Sequence, residues 1–248
     1  MPDFLINHLS IESWRDSDRW ATYFAQTQEI LGAQLTHLDI SDPVRKKVTS
    51  LGVAGEYISS FKTREDSRWL FGKFETIGVE ISIQHYRQLG HWPNSLTWHI
   101  PSSFIETPKN CERLKALFDL GNQAFKPFYA YADEAPRISS KKKTSGAVDI
   151  RAELLGVFWM TYFNAAYVDF FGASKFKTIS AAEYDANGGV TILLADSPVT
   201  VPDALRENLA AMLGERSFVD VKDLLGKQPG HFALTFQQLE AFQAVDRR

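Results

Sequence analysis

The stretch from Thr76 to Tyr86, TIGVEISIQHY, decides the fold class that this sequence predicts. Its apolar residues alternate with polar ones, which is the pattern of a strand with one buried face and one solvent-facing face. The turn-forming residues 89–94 follow, and then a second alternating stretch from Ser95 to Ile100. Two such stretches joined by a short turn predict an antiparallel pair, and Pro101 ends the second strand.

Helical patterns lie on both sides of this hairpin. Apolar residues recur every three or four positions between Asp16 and Gly32, and again between Thr107 and Pro127. A third helix is predicted from Pro43 to Leu51, because the preceding aspartate can cap it and proline suits a first helical turn.

Strand and helix patterns continue through the rest of the chain, and together they predict an α+β fold in which mixed or antiparallel sheets are flanked by helices. The remaining predicted strands are His8–Trp14, Phe128–Ala132, Gly156–Phe163, Phe176–Ile179 and Val190–Ala195. The remaining predicted helices are a short one that ends at Gly172, then Pro202–Leu213 and Thr235–Val245.

We expect residues 1–248 to form a single domain. The polar and small residues 137–146, RISSKKKTSG, predict an exposed loop. The sequence therefore also allows two sub-lobes, 1–136 and 147–248, joined by this loop.

The composition is that of an ordinary water-soluble protein. Apolar stretches such as Gly156 to Tyr162 are far shorter than the roughly 20 residues that cross a bilayer. The N-terminus lacks the basic region of a secretory signal. The lone Cys111 lies at an apolar helical position, which predicts a buried structural thiol rather than a nucleophile. We therefore expect a soluble, cytoplasmic protein.

The charge distribution points to a protein partner rather than to nucleic acid. The net charge of −3 argues against a general nucleic-acid binder, which normally carries a basic face. Ala182 to Leu225 contains eight acidic and three basic residues. Such an excess serves solubility, or it presents a negative face to a basic partner such as a nucleic-acid-degrading protein. For the second case, the predicted partner-binding residues are Glu183, Asp185, Asp196, Asp203 and Glu207.

The chain carries no motif of the main enzyme classes. A G-x-S-x-G elbow, a G-x-G-x-x-G turn and a G-x-x-x-x-G-K-[ST] loop are all missing from the sequence. We therefore expect a protein that is not an enzyme and needs no cofactor, although acid–base pairs far apart in sequence leave no motif.

Three histidines supply the alternative hypothesis, an enzyme with an unrecognised, metal-dependent site. His85, His91 and His99 flank the predicted hairpin, where two of them could meet and Glu75 or Glu80 could add a carboxylate. Strand parity argues against this site, because His85 continues the apolar face of its strand while His99 opposes that face.

The segment from Ala152 to Gly172, AELLGVFWMTYFNAAYVDFFG, resembles immunity proteins of bacterial polymorphic-toxin systems, particularly the immunity protein 52 family. The similar features are a short apolar strand, a Tyr-Phe pair and the YVDFFG segment. The likeness continues through a Gly-Gly strand with a following proline, 188–198, and through the MLG helix end before Phe218. Residues 114–130 are similar more loosely, and residues 1–70 add little.

This resemblance implies a function in competition between bacteria. It implies that the chain binds one cognate toxin, often a nuclease delivered by a route such as type VI secretion, and neutralises it in a tight stoichiometric complex. The similar positions are aromatic, glycine and apolar residues, so the resemblance assigns no binding residues.

Overall fold

The computed structural model describes residues 4–60, 67–86, 92–141, 153–219 and 233–246. It confirms a mixed α+β fold. The chain groups into two compact units, Met1–Ala130 and Tyr131–Arg248. The strands are β1 (Phe4–Ser10), β2 (His37–Asp39), β3 (Ser67–Phe74), β4 (Val79–Tyr86), β5 (Asn94–Ile100), β6 (Tyr129–Glu134), β7 (Met160–Phe163), β8 (Ala182–Tyr184) and β9 (Val190–Leu193). The α-helices are α1 (Ser17–Leu31), α2 (Leu51–Ser59), α3 (Pro108–Phe125), α4 (Ala135–Lys141), α5 (Ala165–Phe171), α6 (Ala173–Phe176), α7 (Asp203–Gly214) and α8 (Phe236–Asp246).

The first unit is built on antiparallel strands in the order β2-β3-β4-β5-β1. The predicted hairpin is confirmed as β4 and β5, in which Ile81 lies opposite Trp98 and Ile83 lies opposite Leu96. All four side chains are buried. They form the apolar face of the sheet, as the alternating pattern predicted.

Helices α1 and α3 pack with this apolar face, and both confirm their sequence predictions. Asp16 accepts hydrogen bonds from the first amides of α1, and Thr107 caps α3 in the same way. The indole of Trp98 on the sheet donates to the hydroxyl of Tyr23 on α1 at 3.1 Å. Because both polar groups are buried, this bond satisfies a donor that would otherwise destabilise the core.

His8 of β1 and Gly121 of α3 bring strand and helix unusually close together. The Nε2 atom of His8 lies 3.1 Å from the carbonyl oxygen of Phe118. Burial lowers the pKa of His8 to about 4, so the ring is neutral at neutral pH. A Cβ atom at position 121 would overlap the His8 ring. The close packing therefore requires glycine at this position.

The second unit contains the antiparallel strands β7-β9-β8 and an aromatic core. Phe163 on β7 contacts Phe176 with ring centroids 5.8 Å apart, and Phe171 stacks on Phe218 at 5.6 Å. All four rings are buried. Phe163 and Phe171 belong to the segment 152–172 that carries the family resemblance, so these two positions serve the core of this unit.

Two local predictions in the first unit need correction. The segment from Pro43 to Leu51 is not a helix, because the backbone of residues 46–48 pairs with residues 36–38. Helix α2 begins at Leu51 instead, where the Ser50 hydroxyl caps it. The strand predicted from His8 to Trp14 ends at Ser10, whose hydroxyl donates to the carbonyl oxygen of Phe125.

Two predictions in the second unit also need correction. Phe176–Ile179 is a turn at the end of α6, since the Ile179 amide donates to the Phe176 carbonyl oxygen at 3.0 Å. Residues 137–141 of the predicted exposed loop belong to α4, which buries Ile138, and residues 142–146 lie outside the described residues. The division into sub-lobes at this loop stays a prediction.

Two further expectations concern the thiol and the membrane. Cys111 is buried, as predicted, and its Sγ lies 3.5 Å from the carbonyl oxygen of Ile105. Within the described ranges, none of the helices combines the length and the apolar character that crossing a bilayer demands.

The contact between His8 and Gly121 gives a stability prediction. We expect Gly121→Ala to lower the free energy of unfolding by about 1–3 kcal/mol, because the added methyl group overpacks a buried helix–strand contact. Urea unfolding of the two proteins measures this difference.

Gly52→Ala is the matched control. A Cβ at this α2 position meets no atom within 4 Å, so we expect the same stability or a gain of up to about 1 kcal/mol. Equal unfolding free energies for Gly121→Ala and the unchanged protein would contradict the packing argument.

Candidate protein-interaction site

The five acidic residues predicted to bind a partner lie on three parts of the second unit. Glu183 and Asp185 lie on β8 and in the turn that follows it, and Asp196 follows β9. Asp203 and Glu207 lie one turn apart on α7. All five are exposed. The structure therefore forms two local pairs of acids, and their role in binding stays a prediction.

Asp185 has a structural role within its hairpin. One carboxylate oxygen accepts a hydrogen bond from the Tyr162 hydroxyl at 2.9 Å, and the other accepts from the amides of Asn187 and Gly189. Burial and the nearby carboxylate raise the pKa of Tyr162, so its hydroxyl stays protonated and donates. This carboxylate therefore fixes the β8–β9 turn.

Asp203 is likewise engaged within the unit. Arg137 of α4 forms an ion pair with its carboxylate, and the same guanidinium lies 2.7 Å from the carboxylate of Glu134. Arg206 adds a weaker contact to Asp203 at 3.4 Å. Asp203 thus presents a partly neutralised charge to solvent.

A buried ion pair between Asp133 and Arg206 positions the start of α7. The side chain of Asp133 is fully buried, and its oxygens lie 2.8 and 3.2 Å from Nε and Nη2 of Arg206. The amide of Trp159 also donates to Asp133, at 3.0 Å. Burial raises the pKa of Asp133, and the guanidinium opposes that rise.

Arg206 also binds the backbone just before α7. Its Nη1 donates to the carbonyl oxygen of Val201 at 2.6 Å, and Nη2 lies 3.5 Å from that of Pro198. These bonds fix the turn that carries Val199, and with it the start of α7, on which Leu205 and Glu207 lie at the surface. No sequence pattern predicted this pair, because Asp133 and Arg206 are 73 residues apart in the chain.

Exposed apolar side chains occur in the same segments as the acids. Tyr184 adjoins Glu183 on β8, while Val199 and Leu205 flank the start of α7. An acidic surface with a few apolar contacts can attract a basic protein over several ångströms and then hold it by short-range contacts. We call Glu183 and Glu207 the two outer glutamates, since both are exposed and lie outside the contacts of Asp185 and Asp203.

Two histidines of the alternative hypothesis, His85 and His99, lie on opposite faces of the sheet. His85 is buried on the face that carries Ile81 and Ile83, and burial lowers its pKa to about 4. His99 pairs across the strands with Glu80, and its Nε2 lies 3.0 Å from the Ser82 hydroxyl on the opposite face.

A single metal ion therefore cannot bind both His85 and His99 in this register. His91 lies outside the described residues. Among the side chains that the structure describes, no three histidine, cysteine, aspartate or glutamate residues form a group that could hold a metal ion.

Comparison with known proteins gives a relationship at the level of fold. No protein-family model matches the chain, and no curated protein sequence matches it. The chain is similar to the solved structure of the Pseudomonas aeruginosa T6SS protein PA0821. The TM-score is 0.65 at 14% sequence identity, and the similarity covers 96% of this chain and 81% of that one. The two chains share a fold over nearly the whole of this sequence.

The Asp133–Arg206 pair gives a pH-dependent prediction. We expect Arg206→Met to lower the free energy of unfolding by about 3–5 kcal/mol at neutral pH, because a buried carboxyl loses its partner. Without the guanidinium, the pKa of Asp133 rises further above that of the unfolded chain. The folded state is then penalised increasingly as pH rises above about 4, so the loss is smaller at pH 5 than at pH 7.5.

Urea unfolding at the two pH values tests this prediction. Arg216→Met is the matched control, since Arg216 is exposed and its loss is expected to change stability by less than about 0.5 kcal/mol. If Arg206→Met lowers the free energy of unfolding by no more than Arg216→Met at both pH values, the role of the buried pair is contradicted.

Proposed function

We propose that this chain is an immunity protein that binds a cognate bacterial toxin and neutralises it in a stoichiometric complex. The observation that carries the proposal is the shared fold with a T6SS protein over 96% of the chain. T6SS denotes the type VI secretion system, so this relative and the resemblance to polymorphic-toxin immunity proteins suggest the same biological setting. Neutralisation by binding requires a complementary surface and no turnover.

The acidic surface of the second unit favours a basic partner. A nuclease domain that binds phosphates presents such a surface, and opposite potentials speed the encounter of two proteins. We propose that the two outer glutamates attract the toxin, and that the bound immunity protein then blocks the toxin from its substrate. The complex would act in the cytoplasm, where a nuclease meets its substrate.

Co-expression tests the proposed function directly. We expect the toxin encoded beside this chain to arrest growth of a bacterial host when produced alone. Production of both proteins is expected to restore growth, and the purified pair to elute as a complex of fixed stoichiometry. Growth arrest that persists while both proteins are present would rule out neutralisation of that toxin.

The two outer glutamates give a kinetic prediction. We expect the double variant Glu183→Lys and Glu207→Lys to slow association with the toxin about tenfold at low salt, since it reverses the attraction. The difference is expected to shrink as salt screens the charges, while the dissociation rate changes little. Surface plasmon resonance at several salt concentrations measures both rates.

The matched control reverses two exposed acids of the first unit, Glu29→Lys and Glu56→Lys. This control changes the net charge by the same amount as Glu183→Lys with Glu207→Lys. A smaller effect of the control on the association rate would show that the position of the charges matters, and not only the net charge. Equal slowing in both double variants would contradict a role of the two outer glutamates.

A further inference from the structure

The turn between β8 and β9 contains a chemically labile pair of residues. Among the asparagines of the chain, Asn187 alone is followed by glycine. The backbone nitrogen of a following residue can attack the side-chain carbonyl carbon of asparagine, which makes asparagine one of the labile residues of proteins. Glycine favours this attack, because it has no Cβ to block the approach and its backbone is the least restricted. Asn187 is therefore the asparagine of this sequence best suited to deamidation.

The reacting groups are accessible in the structure. Asn187 and Gly188 are both exposed. Within the part of the chain that the structure describes, no hydrogen bond holds the side-chain amide of Asn187, whereas the side chain of Asn164 caps α5. Gly188 has a φ of +78°, a left-handed conformation that suits the tight connection of a hairpin. The hairpin therefore requires glycine at the position that makes Asn187 labile.

Hydrogen bonds to Asp185 hold the backbone on both sides of this asparagine. One carboxylate oxygen of Asp185 accepts from the amide of Asn187 at 2.7 Å and from that of Gly189 at 2.9 Å. The amide of Gly188, whose nitrogen has to attack, donates to the carbonyl oxygen of Asp185 at 3.2 Å. An amide held in this bond does not reach the Asn187 side chain. The turn must therefore open locally before the reaction begins.

The hydroxyl of Tyr162 ties this turn to the sheet of the second unit. It donates to the other carboxylate oxygen of Asp185 at 2.9 Å. Tyr162 is buried on β7, where it pairs with Thr191 of β9. Hydrogen bonds to a charged acceptor are stronger than those between neutral groups. The bond from Tyr162 therefore keeps Asp185, and with it the turn, in the closed arrangement.

We propose that Asn187 is a site of spontaneous deamidation and that the Asp185–Tyr162 bond sets its rate. In the first step, a bond forms between the Gly188 nitrogen and the side-chain carbonyl carbon of Asn187. The carbon–nitrogen bond of the side-chain amide breaks, and that nitrogen leaves as ammonia with the proton of the Gly188 amide. Water then opens the cyclic imide at either carbonyl group, which gives aspartate or isoaspartate. The reaction needs no other reactant and no partner protein, so it goes beyond the proposed function.

Either product changes the surface beside Glu183. Each product adds a negative charge close to the carboxylate of Asp185, and like charges repel. Isoaspartate also adds a methylene group to the backbone between the amides of residues 187 and 189. These amides then lose the spacing with which they bind one oxygen of Asp185. Deamidation therefore opens the β8–β9 turn and makes this surface more acidic as the protein ages.

Incubation of the purified full-length protein at mildly alkaline pH tests this proposal, because base promotes loss of the proton from the attacking amide. Peptide mapping by mass spectrometry is expected to show an acid in place of the amide at Asn187, in separate aspartate and isoaspartate forms. We expect Tyr162→Phe to speed this conversion about three- to tenfold, the effect of one lost hydrogen bond on turn opening. Tyr167→Phe is the matched control and is expected to leave the rate unchanged, since its hydroxyl accepts instead from the amide of Leu234 at 3.2 Å.

The outcomes separate the two parts of the proposal. If Asn187 converts no faster than Asn208 of α7, both in the unchanged protein and in Tyr162→Phe, the modification site is overturned. If Asn187 converts equally fast in Tyr162→Phe and Tyr167→Phe, the control by the Asp185–Tyr162 bond is overturned. Asp185→Asn is a second variant that weakens the same bonds, and it is expected to speed the conversion as well. Circular dichroism before incubation confirms that each variant reacts in its folded state.

Discussion

The second unit depends on a buried carboxylate that three separate segments share. Asp133 closes β6, receives the amide of Trp159 just before β7, and holds Arg206 of α7. Such a pair contributes little net stability over an apolar replacement, because both charges lose their water, yet removing one partner is costly. The ion pair therefore acts chiefly by selecting one arrangement of β6, the segment before β7 and α7. In that arrangement the exposed residues of α7 have a fixed position at the surface.

Local signals in the sequence were enough to predict much of the first unit. The β4–β5 hairpin, α1 and α3 each combine a clear period with a cap, and the structure has all three. The helix predicted after Asp42 was wrong because residues 46–48 pair with the backbone of residues 36–38, which a capping signal does not reveal. The predicted end of β1 was wrong because Ser10 bonds to α3, a contact with an element distant in sequence.

The candidate site was predictable in composition but not in detail. The excess of acids between Ala182 and Leu225 is visible in the sequence, whereas the internal partners of Asp185 and Asp203 are not. The exposure of Trp69 was not predicted for a related reason: alternation identifies which side of a strand is dry, and Trp69 lies on the other side. An aromatic residue out of phase with the buried positions is the signal that could have found it.

The bond between Asp185 and Tyr162 has a consequence for how relatives of this chain diverge. A Cβ at Gly189 would overlap both the tyrosine hydroxyl and the carboxylate, so the three positions form one steric and hydrogen-bonded set. A substitution at one of these three positions disturbs the folded protein. We therefore expect the three residues to change together in relatives or not at all. Glu183 is exposed, lies two residues from Asp185 and does not belong to this set. It can therefore be substituted when the surface of a binding partner changes.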